Sequence, residues 1–205
     1  MLPVKQRFRR IYRRHYHYWQ SNESTSGLGS TLANTENIRT ALPALLQKYD
    51  IRTIVDVPCG DFNWMRHLIG QTPFVRSYIG LDIVPELIQE NQRKYSSDHI
   101  RFLEFDVITT TPPIADLVIV RDCLIHFSFA DARRALKNIK YSGSAYFLST
   151  THLDVQENKD IVTGRWRSLN LQKAPFDFPP PLGLIRENER HEKCLALWRI
   201  SEIPG

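Results

Sequence analysis

The 205-residue chain has only three cysteines, Cys59, Cys123 and Cys194. Their odd number and wide spacing fit neither a disulfide framework nor a zinc site, so a reducing, cytoplasmic setting is expected. Long apolar runs are also missing. The longest near the middle, Leu117-Val118-Ile119-Val120, falls far short of the roughly 20 residues a membrane span needs, so no transmembrane segment is expected. The N-terminus lacks the apolar segment of a secretory signal. Residues 1–20 contain no acid, yet hold Lys5, Arg7, Arg9, Arg10, Arg13 and Arg14. These six exceed the whole formal charge of +5, so the rest of the chain is close to neutral. A duplex-binding domain spreads basic residues over a face, so charge confined to one arm is no strong nucleic-acid signal. No internal repeat is present.

What remains is ordinary globular material, with 42% apolar and 24% charged residues. The length suits one domain. The basic arm, interleaved with Phe8, Ile11, Tyr12, Tyr16, Tyr18 and Trp19, suits a helix. It reads as a membrane-surface or RNA-touching arm, as a lid over a pocket, or as a solvated helix packed on the body. Residues 21–31, SNESTSGLGST, read as a loop. Asn34 or Thr35 can cap a helix running to about Tyr49, with Pro43 kinking or dividing it. Strands are expected at Arg52–Val57, Val75–Ile83, Ile100–Phe105, Ala115–Val120 and Ala145–Thr150. Helices are expected from about Phe62 to Ile69, from Pro85 to about Tyr95, and from a Ser128 cap to about Lys140. Asp131 completes a capping box with Ser128. Alternation of this kind predicts a doubly wound α/β sheet, with ligands at the carboxyl ends of its strands. After Thr151 it stops. Residues 152–183 are loop-rich, and Cys194–Ile200 is the last strand, with Leu184–Arg186 pairing to it.

Three strands end in an acid: Asp56, Asp82 and Asp106. In such a sheet these ends lie side by side and line one crevice, which suits a ligand rich in hydroxyl and amine donors. Asp82 lies 22 residues beyond Gly60, near the spacing at which an acid meets a ribose hydroxyl pair. The Gly-x-Gly-x-x-Gly of a pyrophosphate site is absent, so a ligand with ribose and adenine but no phosphate fits better. At this point Asp56-Val57-Pro58-Cys59-Gly60 resembles the first motif of the class I S-adenosylmethionine-dependent methyltransferases, with Pro58 in place of a usual Gly. The resemblance covers roughly residues 35–150 and the closing strand. The strings SGLGS, DVPCGDFNWM, RDCLIHF and TGRWRSLNLQKAPFDFPPPLGL also resemble a little-characterised group of bacterial methyltransferases.

The resemblance implies a Rossmann-like, mostly parallel sheet of about seven strands with the last antiparallel, and S-adenosyl-L-methionine as cofactor. Pro58, Cys59 and Gly60 then approach the methionine part, and Asp56 meets its ammonium. Asp82, with Ile83 beside it, accepts from the ribose hydroxyls. Asp106 accepts from the adenine amino group, with Val107 as the next backbone donor, and Arg121 pairs with the carboxylate. Methyl transfer to a hydroxyl needs a base, for which His126 is the first candidate, oriented or replaced by Asp122. His152 is the second. Asp122, His152 and Asp154 make too thin a set for metal assistance, so no metal is expected. Around Trp166, Arg165 and Arg167 suit an anionic or sugar-like acceptor. Trp19, Gly27 and Ser30 are expected to cover the pocket from the arm and its loop.

Residues 1–34 are thus expected to be an arm and loop acting as a lid, and 35–205 one methyltransferase domain with a loop-rich insertion at 152–183. The leading function is O-methylation of a small molecule or sugar unit. The arm's charges are expected to face outward, giving weak surface attraction. The alternative is a non-catalytic docking module that keeps the fold and uses the basic arm.

Overall fold

A computed structural model describes residues 3–19, 23–188 and 192–204, without the side chains of 15–19 and 188. Five short apolar stretches pair in parallel: β1 (Thr53–Asp56), β2 (Ser77–Asp82), β3 (Ile100–Glu104), β4 (Leu117–Val120) and β5 (Tyr146–His152). β6 (Gly183–Asn188) and β7 (Lys193–Arg199) complete a sheet of order β3-β2-β1-β4-β5-β7-β6. β7 is antiparallel to both of its neighbours, so it alone runs against the rest.

The helices are α1 (Val4–Trp19), α2 (Glu36–Lys48), α3 (Met65–Gln71), α4 (Pro85–Tyr95) and α5 (Phe129–Tyr141). Successive strand residues point to opposite faces, and the core divides accordingly. Ile54, Leu117 and Ile119 pack with Ile38, Leu42 and Leu46 of α2 and with Met65 and Leu68 of α3. Val55, Val118 and Val120 pack on the other face with Ala132, Ala135, Leu136 and Ile139 of α5.

Three expectations differ. Pro43 lies inside α2 without dividing it. Thr35 caps α2 by position only, because its hydroxyl donates to Thr31 O instead, at 2.8 Å. The alternation breaks once, since residues 105–116 join β3 to β4 with no helix. The Ser128 cap does accept from Asp131 N at 3.2 Å, but the box closes through a third residue. Ser128 N donates to Thr163 Oγ1 at 2.9 Å, and that hydroxyl donates to the Asp131 carboxylate.

The loop-rich insertion has a packing job. Leu169, Leu171, Phe176 and Phe178 are buried in the core on the α5 side, where no helix follows β5. Asn158 holds the segment together: it donates to Asn170 O at 2.8 Å and Ala174 O at 2.9 Å and accepts from Asn170 N. At the amino ends of the strands Asp116 accepts from Arg52 N, Thr53 N and the Thr53 hydroxyl, closing that edge. At the carboxyl ends the connections from β1 and β4 leave on opposite faces. That divergence opens a crevice between them.

Candidate active site

The crevice is a cavity of about 480 Å³. β1 delivers Asp56, and the turn after it delivers Pro58, Cys59 and Gly60. β2 ends on Asp82 and Ile83. The segment after β3 brings Asp106 and Val107, and β4 opens into Arg121 and Asp122; all of these line the cavity.

Asp56 and Asp82 are buried and form no ion pair within 4 Å among the described residues. Burial pushes Asp56 up to about 7, opposed by the Tyr78 hydroxyl that donates to it at 2.7 Å. Asp82 is pushed up to about 6 by burial, opposed by Val84 N at 2.9 Å and Gly60 N at 3.1 Å. Asp106 accepts from Ile108 N at 2.9 Å, which fixes its orientation. Gly60 is left-handed, with φ 55°, and a Cβ there would lie 2.4 Å from Ser26 Oγ. The turn therefore needs glycine for its conformation and for the loop packed on it.

That loop is held by Asp61. One of its oxygens accepts from Ser24 Oγ at 2.8 Å and Thr25 N at 2.6 Å, and Asp61 N donates to Ser26 Oγ at 2.8 Å. Asn63 adds a bond to Ser30 O at 3.0 Å. Thr25, Ser26 and Ser30 thus line the cavity, while Gly27 does not. Above them α1 contributes Val4, Phe8, Ile11 and Tyr12 to the wall. The expected Trp19 and Tyr16 side chains lie outside the described residues.

The charges of α1 do not simply face outward. Arg9 and Arg13 reach Glu86 in the first turn of α4, at 2.7 and 2.8 Å. Lys5 pairs with Glu104 at the end of β3, and Arg7 donates to Thr163 O. The arm is clasped to both banks of the crevice, because acids and a carbonyl stand along the track of its inner edge.

On the acceptor side His126 lines the cavity and is partly buried. Its Nδ1 lies 2.9 Å from Arg165 O. A carbonyl only accepts, so Nδ1 carries the proton and Nε2 is left with its lone pair. Burial lowers the His126 pKa, opposed by this bond. Asp122 does not contact that ring through a hydrogen bond. Its carboxylate accepts from Lys193 Nζ at 2.7 Å and lies 3.5 Å from Arg121 Nη1. Burial raises its pKa, but the two cations more than offset that and hold it well below the usual carboxylate range. Asp122 is therefore a poor proton acceptor, which corrects its expected part as a base.

Arg121 reaches the cavity already paired. It bonds Glu187 at 2.7 Å and Gly29 O at 2.7 Å, so its charge is matched within the protein rather than kept for a cofactor carboxylate. Arg121, Glu187, Lys193 and Asp122 form a neutral quartet, with Lys193 also 3.0 Å from Glu187.

Two other expectations are displaced. His152 is buried and lies outside the cavity: its Nδ1 accepts from Leu169 N, and its ring meets Trp166 edge-on with centroids 6.5 Å apart. Arg167 is also buried away from the cavity, donating to Phe127 O at 2.6 Å above the Phe129 ring. Arg165 and Trp166 do line the cavity. Sequence reasoning missed Asp61, Glu187 and Lys193. Asp61 stood inside the quoted motif; the other two gave no local signal.

Residues 54–142 match the family described as Methyltransferase domain. The match covers 89 of the 205 residues, the segment running from β1 to the end of α5. The chain's fold is that of human N-acetylserotonin methyltransferase in complex with SAM, at 17% identity and TM-score 0.66, over 97% of this chain and 60% of that one. TnmH gives 14% identity and TM-score 0.60, over 80% of this chain and 54% of that one. PigF with SAH gives 13% and 0.58, over 80% and 55%. The chain thus spans less than two thirds of the length of these solved chains. No curated protein matches it. Among the described residues no helix is long and apolar enough to cross a membrane.

Proposed function

We propose that the protein transfers a methyl group from S-adenosylmethionine to a hydroxyl of a small acceptor, with His126 as the proton acceptor. The observation that carries this reading is the Nδ1 bond to Arg165 O, which assigns the proton to Nδ1 and leaves Nε2 as the proton-accepting nitrogen of a residue that lines the cavity.

The crevice fits the cofactor. Two buried acids with raised pKa values and no ion-pair partner are poised for a ligand bearing hydroxyls and positive charge. In this reading Asp82 accepts from the ribose hydroxyls, Asp106 from the adenine amino group and Asp56 from the ammonium. Ile83, Val107 and Leu87 supply the apolar bed for the adenine. When bound, S-adenosylmethionine supplies an activated methyl on a sulfonium. The chain's own residues then have three tasks. The Pro58–Gly60 turn and the acids orient the donor. His126 takes the acceptor's proton. Phe8, Ile11 and Tyr12 of α1 cover the cavity and keep out water, a competing nucleophile.

The test is calorimetric titration with S-adenosylhomocysteine, followed by turnover assays with small hydroxyl and amine acceptors. Saturable binding and methylation of hydroxyl compounds that is lost in His126→Ala support the reading. Methylation of amines that survives His126→Ala overturns its O-methyl part.

A further inference from the structure

Among the described residues, Arg165 is the cavity-lining cation with no acidic partner, and it points to the kind of acceptor. The segment carrying it is registered against the base by three backbone-anchored bonds. Gly164 N donates to His126 O at 2.7 Å, His126 Nδ1 to Arg165 O at 2.9 Å, and Arg167 N to Ile125 O at 3.1 Å. Arg165 is therefore held beside the imidazole.

Two nearby cations are neutralised and a third is buried. Arg121 and Lys193 are matched by Glu187 and Asp122, and Arg167 is buried on backbone carbonyls. The Arg165 side chain is exposed, lines the cavity, and makes no ion pair or hydrogen bond among the described residues. Next to it Trp166 is 60% exposed and also lines the cavity. The facing wall of α1 presents Phe8, Ile11 and Tyr12, with no acid to repel an anion. The available carboxylates lie at the other end, at the strand termini.

We propose that the acceptor is a ring compound carrying a carboxylate, which pairs with Arg165 while the ring lies on Trp166 and its hydroxyl meets His126. This deepens the methyltransferase reading above and rests on it. A guanidinium matches a carboxylate with two parallel hydrogen bonds, and the exposed indole of Trp166 offers a flat face to a ring. The charges divide the cavity in the same sense: a donor with cationic centres on the acid side, an anionic acceptor on the arginine side.

The experiment uses the full chain saturated with S-adenosylhomocysteine, titrated with hydroxybenzoic, hydroxycinnamic and uronic acids and with the carboxamide of each. Turnover is then measured with S-adenosylmethionine. Acids should bind roughly 10- to 100-fold more tightly than their amides, the scale of one charge-assisted pair. Arg165→Gln should remove that preference through KM with little change in kcat, and Arg165→Lys should restore part of it. Equal binding of acid and amide overturns the proposal, as does failure of every acid to bind. A fall in kcat on acid and amide alike in Arg165→Gln also overturns it, since that means Arg165 stabilises the reacting oxygen. Loss of S-adenosylhomocysteine binding in the unaltered protein would instead sink the methyltransferase reading.

Discussion

At the scale of single residues the site depends on which protons are held. His126→Ala should lower kcat by about 10²–10⁴ while S-adenosylhomocysteine affinity stays near its starting value. Equal losses of melting temperature and activity would mean a packing role. Because burial lowers the His126 pKa, the acid limb of the kcat profile should lie below the ordinary imidazole value of about 6.5. A limb above that value would point to another base. Asp82→Ala should weaken cofactor binding by about 1.5–3 kcal/mol, read by calorimetry.

Asp56 sets a second pH dependence. Its folded pKa of about 7 lies above the unfolded value of about 3.9, so between these the native state holds a proton that the unfolded chain has released. Stability of the ligand-free protein from this group therefore falls as pH rises through that window and levels above it. Denaturant titrations from pH 5 to 8 should show a decline that is smaller in Asp56→Asn than in the unaltered protein. Parallel curves would reject the assignment.

At the scale of elements the important feature is α1. Its exposed ion pairs are individually weak, about 0–1 kcal/mol each, and screened by salt. Val4 and Phe8 pack on the core below, with Phe8 and Phe127 ring centroids 6.0 Å apart. The helix is thus seated by apolar contact and aligned by Glu86 and Glu104. We propose that it acts as a removable cover. Glu86→Gln frees two arginines at once and should speed hydrogen exchange in α1 without altering exchange in β1 or β4. Gly164→Ala tests the same contact from below. Gly164 has φ 96°, and a Cβ there would lie 2.5 Å from Arg7 Cδ, so the substitution should cost about 1–3 kcal/mol and loosen α1. Unchanged α1 exchange in both variants would mean the arm is not held by these contacts.

At the scale of the whole molecule, binding must feed into global stability. S-adenosylhomocysteine at 100 times its Kd should stabilise the fold by about 2.7 kcal/mol, a rise in Tm of roughly 5–10 °C for a domain of this size. At one fixed ligand concentration the gain should be larger at pH 8 than at pH 5.5, because Asp56 and Asp82 ionise between them and then accept from the ligand more strongly. A gain independent of pH would separate the ligand from these acids.

The sequence by itself determined the sheet, its direction and the acid-lined crevice. Those follow from local facts: β-branched runs, Pro85 opening a helix, and Asp56 and Asp82 each closing a strand, with Asp106 two residues past the end of a third that must lie beside them. Tertiary structure decided what faces the crevice. Arg165 and Arg167 are two apart in an irregular segment, and only the ladder with residues 125–127 turns one to the cavity and the other into the protein. Glu187 meets Arg121 across 66 positions, and Lys193 meets Asp122 across 71. Those partnerships arise because β7 inserts between β5 and β6, and no periodicity along the chain encodes which strand a chain end will enter. The basic arm followed the same rule: its helix was legible from spacing, but Glu86 and Glu104 became its partners only once the sheet had carried α4 and β3 beneath it.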